Sequence, residues 1–194
     1  MGRGGRALMV KVFKCLFCES CCLFERESEM PTVFPWEKRL LEEYSEGNAA
    51  RLAFKPILVY RDGEGNCVIV LYRWLINGYC PFYDRGTGKC KIHDSKPLAC
   101  RMYPLILELP SGRLLASQKC EWVRRQGSRL LHMLSKHPEL IPRVFPSEFK
   151  AVREVFTEIN NISRFLEERG MQRVDSVDSC NKVFDVDDYM ARFG

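Results

Sequence analysis

Cys15-Leu16-Phe17-Cys18-Glu19-Ser20-Cys21-Cys22 puts four thiols into eight residues. A density of that kind decides what sort of domain the chain can build. A C-x-x-C loop turns two thiolates toward one centre across a tight turn, in zinc knuckles and iron–sulfur loops alike. The two successive intervals Cys15–Cys18–Cys21 match the run that holds three corners of a cubane in bacterial ferredoxins. Cys22 fits that run less well. Neighbouring side chains tend to diverge, so one of Cys21 and Cys22 is expected to reach a second centre or to contact the later cysteines.

Working outward, four further cysteines follow at long intervals: Cys80, Cys90, Cys100 and Cys120. They sit in settings rich in Gly and Pro, Tyr79-Cys80-Pro81-Phe82-Tyr83-Asp84, Gly88-Lys89-Cys90-Lys91-Ile92-His93 and Cys100-Arg101-Met102-Tyr103-Pro104. Lys96 and Arg101 are candidate countercharges for a thiolate cluster. The segment Asn77–Pro104 has little apolar periodicity. Ordering it costs about 1–2 kcal/mol per residue of backbone entropy, so it reads as a loop that a metal must hold. Cys67 lies in a strand-like run and reads as core packing. Cys180 lies in the acidic tail and receives no role.

The chain has ten cysteines in 194 residues. The opening Met1–Lys11 lacks the apolar core and cleavage site of a secretory leader, which points to the cytoplasm. Thiols stay reduced there, so disulfides are disfavoured and metal binding is the default use of the cysteines. A net charge of +5 is too mild to argue for nucleic acid. No run approaches the ~20 apolar residues of a membrane span. Phosphate-cradling glycine loops, H-E-x-x-H and G-x-S-x-G are missing, and Cys15-x-x-Cys18 has the wrong first interval for a radical-enzyme motif.

Periodicity predicts the scaffold. Trp36, Leu40, Leu41 and Tyr44 place a helix over Pro35–Glu46, ended by Gly47. Ile57–Tyr60 and Val68–Leu75 form one hairpin, and Leu105–Leu109 with Leu114–Ala116 another around Pro110-Ser111-Gly112. A helix over Cys120–Lys136 is softened at Gly127. Ser147–Glu168, with Ser147 as N-cap, carries one apolar stripe from Phe149 through Val152, Val155, Phe156, Ile159 and Ile162 to Leu166. The tail Asp175–Gly194 reads as a loosely packed end that docks Val183, Phe184 and Tyr189. The fold class is α+β: a small metal-stabilised domain with cysteine-rich loops, two short hairpins and a C-terminal helical layer. Its expected parts are a lead-in (1–12), the cysteine-cluster domain (13–122), a helical region (123–174) and the tail (175–194).

The block C-x-x-C-x-x-C-C, then C-P-F-Y, C-x-I-H, K-P-x-x-C-R-x-Y-P and a later lone cysteine resembles the YkgJ-like cysteine-cluster family, a zinc- or iron-chelating domain. The resemblance covers roughly Phe13 to Cys120. It implies eight ligands: Cys15, Cys18, Cys21, Cys22, Cys80, Cys90, Cys100 and Cys120. Similar domains occur in flagellin lysine methylases thought to carry iron–sulfur clusters, which implies methyl transfer as one activity. His93 stands where relatives often have tyrosine, so it is not an obligatory ligand. The residues favour an iron–sulfur centre, of the 4Fe-4S type and possibly doubled, in a redox, sensing or radical-type role. The alternative cofactor is zinc, in a stapled interaction module without catalysis. The partner is an unspecified protein or small-molecule substrate.

Overall fold

The computed structural model describes residues 11–45, 52–109 and 111–194. Most of the lead-in, Glu46 and Gly47 beyond the first helix, and Pro110 of the second hairpin lie outside the described residues. The fold is α+β, as the sequence predicts. In chain order, the first half comprises β1 (Leu23–Phe24), β2 (Thr32–Val33), α1 (Pro35–Ser45), β3 (Ala53–Arg61) and β4 (Cys67–Leu75). The cysteine loops follow with β5 (Gly78–Tyr79), β6 (Tyr83–Asp84), β7 (Lys89–Cys90) and α2 (Leu98–Met102). The second half runs through β8 (Leu105–Glu108), β9 (Arg113–Ala116), α3 (Glu121–Gln126), α4 (Ser128–Lys136), α5 (Ile141–Val144) and α6 (Pro146–Glu167). β10 (Gln172–Val174), β11 (Val183–Asp185) and α7 (Val186–Phe193) close the chain.

The β3–β4 hairpin is the spine. β4 reads Cys-Val-Ile-Val-Leu-Tyr-Arg-Trp-Leu, a near-continuous apolar run, and seven of its nine residues are buried. That pattern belongs to a strand covered on both faces. Val68, Val70 and Leu71 meet Val155, Ile159, Ile162 and Leu166 of α6. Cys67, Ile69, Tyr72 and Trp74 meet Leu41 of α1 and Phe82 of the cysteine loops. Pro56 cannot donate to the ladder, and the β3–β4 register shifts between Pro56 and Val59. A third cluster joins Trp122, Leu130, Leu134, Ile141 and Phe145 to Val152 at the start of α6.

Two local expectations are corrected. The long helix begins on Pro146 after Phe145, with no side-chain cap. Proline's fixed φ and missing N–H suit the first helical position, so Ser147 is already inside the helix. Gly127 breaks the 120–136 segment into α3 and α4 outright, because its φ of 72° leaves the helical region.

The tail is built in more firmly than its composition suggests. β10 pairs antiparallel with β3, and β11 pairs parallel with β4. Asp185 and Asp187 are met by Arg39 of α1. Cys67 and Cys180 are joined by a disulfide with a Cα–Cα distance of 5.7 Å. This corrects both the core-only reading of Cys67 and the lack of a role for Cys180. Pairing β11 alongside Cys67 brings the 113-residue separation to bonding range, which spacing alone does not reveal.

A cross-link closing so long a loop restricts the unfolded chain. Cys180→Ala is therefore expected to lower the unfolding free energy by about 2–4 kcal/mol in urea titrations. Mild reductant should reproduce the loss in the wild type and leave the variant unchanged; equal stability of the two oxidised proteins would refute the bond.

Candidate metal centre

The cysteine run is pinned at its start. Phe13 N–H donates to the Val144 carbonyl at 2.7 Å, and its ring packs edge-on to Trp122, centroids 5.3 Å apart. The chain then passes Phe17, whose φ of 52° is uncommon for a bulky residue. That turn aims the Phe17 N–H at the Cys15 sulfur, 3.4 Å away. Cys21 ends a short 3-10 turn over Glu19–Cys21. Beyond it, β1 pairs with β5, and Cys80 N–H donates to the Cys22 carbonyl at 2.7 Å. This bond ties the early run to the central loops.

β6 and β7 pair so that Tyr83 faces Cys90, which sets Cys80 and Cys90 on the two arms of one turn. Asp84 closes the turn by accepting from the Gly86 N–H at 2.9 Å, and Tyr83 stacks on Tyr79. Cys100 sits on α2, which packs on α6. Glu37 anchors that helix: its carboxylate accepts the N–H of Leu98 at 2.7 Å and that of Phe34 at 3.0 Å. Burial raises the Glu37 pKa, against the pull of those two amides. Cys120 is buried at the N-cap of α3.

Seven of the eight cysteines line one cavity of about 1170 Å³; Cys120 stands behind its wall, within electrostatic reach of Cys18 and Cys15. Cys100 is raised by burial, then by the nearby Cys80 and Cys21. Cys80 is pushed up to about 11 by burial, with Cys90 and Cys21 adding to it. Cys21 rises through its hydrogen bond with Cys22, then through burial. Two neighbourhoods thus emerge. In one, Cys21, Cys80 and Cys90 act on Cys100; in the other, Cys15 and Cys18 act on Cys120; the two adjoin, since Cys120, Cys21 and Cys18 all act on Tyr103. The Cys21 and Cys22 sulfurs approach to 3.7 Å rather than diverging. The run Cys15–Cys18–Cys21 is accordingly shared between neighbourhoods.

Lys96 is the countercharge: it lowers the pKa of Cys21, Cys90 and Cys100. Arg101 instead turns to Glu154 in an exposed pair at 3.4 Å. His93 is exposed at the cavity rim, with its ring facing Phe17. Lys119 stretches between the Leu23 carbonyl and Glu29, fastening the early loops beside Cys120.

Backbone amides supply the remaining positive field. The Phe17 N–H points at Cys15, and the amides of Phe82, of Ile92, and of Val123 with Trp122 lower the pKa of Cys80, Cys90 and Cys120 respectively. An N–H from the second residue onward stabilises a thiolate without adding a mobile charge. The sequence carries a trace of this: at Cys15, Cys80 and Cys90 the amide belongs to a large apolar residue two positions on, whereas at Cys120 the leading amide is that of Val123. Glu37 and Lys119 were missed as well. Nothing local marks them, because their partners lie 61 and 90 residues away.

Soft thiolates in this number, with amides and one lysine around them, fit a thiophilic metal or iron–sulfur group. The family model described as "Putative zinc- or iron-chelating domain", with the signature CxxCxxCC, matches residues 14–126. The match covers more than half of the chain, which belongs to that family. A curated relative, "Uncharacterized protein MJ0661" of Methanocaldococcus jannaschii, is 41% identical over 39 residues. That stretch is 20% of this chain and 21% of the relative. No solved structure matches. Among the described residues, no helix is long and apolar enough to cross a membrane.

Two predictions test this scaffold. Glu37→Ala orphans two backbone amides and should cost about 2–3 kcal/mol, with metal content reduced as α2 loosens. Glu29, held at about 2 chiefly by the Lys119 hydrogen bond, has a folded pKa below its ordinary 4.5. Its stabilisation is complete above that ordinary value and is lost as pH falls toward 2. The stability gap between wild type and Glu29→Gln should be about 1 kcal/mol at pH 6 and shrink below pH 4.5. A gap independent of pH would remove the ion pair from the account.

Proposed function

We propose that the chain holds two iron–sulfur centres. One is bound by Cys21, Cys80, Cys90 and Cys100, the other by Cys15, Cys18, Cys22 and Cys120. The observation that supports this reading is the convergence of seven cysteines on one cavity, with Cys120 within electrostatic reach of Cys18 and Cys15. Cys22 is assigned to the second set by count, since the first already has four sulfurs; its sulfur lies 3.7 Å from that of Cys21, at the seam of the two. The centres would store and pass single electrons, giving the protein a redox, sensing or radical-type role.

The C-x-x-C-x-x-C run, which resembles a ferredoxin run, supports a polynuclear group over single ions. With Zn–S bonds of about 2.3 Å, a tetrahedral zinc needs its sulfurs about 3.8 Å apart. One pair, Cys21 and Cys22, does meet the zinc edge at 3.7 Å. That pair is the observation favouring a second reading, a zinc-stapled module in which the metal only fastens loops.

The two are separated by purifying the protein without oxygen. Iron and acid-labile sulfide should be present in comparable amounts, with broad visible absorption. Cys100→Ser and Cys120→Ser should each remove about half of the iron while leaving the other centre's signal. Colourless protein with stoichiometric zinc, or complete loss of metal from either single variant, would overturn the two-centre reading.

A further inference from the structure

The cavity is larger than a metal site needs. Its volume of about 1170 Å³ exceeds the ~300–1,000 Å³ usual for small-molecule pockets. Away from the cysteines it continues between the α6 face and the β8–β9 hairpin, over β3. The walls there are Ile57, Leu58, Leu107, Val155 and Ile159. Ile106, Leu109, Leu115 and Phe156 also line it, and each of these four is 40–43% exposed. Phe156 belongs to the apolar stripe of α6 yet stays out of the core. It faces the hairpin turn instead, close to Gly112.

The charged lining is uneven. Arg26 and Lys119 are engaged by Glu29, Arg73 donates to the Met30 carbonyl at 3.0 Å, and Lys96 faces the thiols. Away from the cysteines stand Arg164 and Arg173, both exposed, beside Asn160 and Ser163. Glu167 accepts from Tyr60 at 3.2 Å. Arg164 reaches Glu168 only at 4.0 Å, and among the described residues Arg173 makes no ion pair. Two underused guanidinium groups therefore flank an apolar channel that leads to the cysteines.

We propose that this channel binds a single-chain anionic amphiphile. Its acidic head would lie at Arg164 and Arg173 and its hydrocarbon body along α6, so that its far end reaches the cysteine centre. A polypeptide fits less well, since its backbone amides would be buried against aliphatic walls without partners. A hydrocarbon loses nothing there and gains from every apolar contact. The inference deepens the metal-centre reading by naming the class of molecule the centre would meet.

The test uses the full chain, purified without oxygen, with its metal content measured in parallel. The probe is cis-parinarate, a fluorescent long-chain carboxylate, compared with its methyl ester. Saturable one-to-one binding at micromolar concentration is expected, at least tenfold tighter for the carboxylate. Asn160→Trp, which fills the channel from an exposed position, should weaken binding of both probes tenfold or more with metal content unchanged. The double variant Arg164→Gln/Arg173→Gln should bring the carboxylate down to the ester and leave the ester as it was. No saturable binding, equal affinity for both probes, or indifference to Asn160→Trp would overturn the proposal. Probe binding by colourless zinc protein would instead uphold the channel and sink the iron–sulfur reading.

Discussion

Thiolates gathered in a space shielded from water repel one another, and the rest of this structure answers to that constraint. Burial and neighbouring sulfurs both push the Cys80 and Cys100 thiols upward. Such a group ionises together only when positive charge is brought to it. The chain supplies a little, in Lys96 and in amides aimed at four of the sulfurs. A metal would supply the rest, and its binding energy would then be folding energy for the loops. This explains why the loops between β4 and α2 contain only two-residue strands and a single turn of 3-10 helix. They have little core of their own to order them.

What the loops lack is lent by the scaffold at a few points. Phe13 fastens the early run to α5, the Cys80 amide fastens the central turn to Cys22, and Glu37 fastens α2 to α1. Each link is a buried or half-buried hydrogen bond between segments distant in sequence. Each lies within a few residues of a cysteine. The best-packed part of the molecule, α6 against the β3–β4 hairpin, touches the site mainly through α2. A clear division follows: periodic elements store the stability, and irregular ones carry the chemistry.

That division also explains what could be read from the sequence. The α6 stripe is legible because burial repeats every three to four residues along 22 residues of helix. Both hairpins are legible because turn-forming residues separate two apolar runs. The tail is not, since Val183–Asp185 is a three-residue strand whose parallel partner lies more than 100 residues earlier. The disulfide was hidden for the same reason. Ser147 looked like a cap because the residue type suits one, but the adjacent proline already starts the helix. For the site, the identity of the eight candidate cysteines came from motif and resemblance. Their division into two neighbourhoods did not, because loops of ten to twenty residues leave the direction of a sulfur undetermined.

The recurring Cys-x-apolar step joins these levels. At Cys80 and Cys90 the second residue on does two jobs at once, and at Cys120 Trp122 shares them with Val123. Its amide meets the sulfur, and its side chain sinks into the core: Phe82 against Trp74, Ile92 beside them, Trp122 against Phe145. Anchoring the side chain fixes the amide, and the amide fixes the sulfur. Cys15 breaks the pattern. The Phe17 amide still turns inward, but its ring is 61% exposed and the backbone takes a left-handed turn to achieve this. Cys15 is itself exposed, whereas Cys120 of the same neighbourhood is buried. Solvent exposure and hydrogen bonds to sulfur are what set the potential of a thiolate-bound cluster. A metal centre touching Cys15 would therefore sit in a wetter setting than one enclosed by Cys21, Cys80, Cys90 and Cys100, because the protein covers the Cys15 sulfur least.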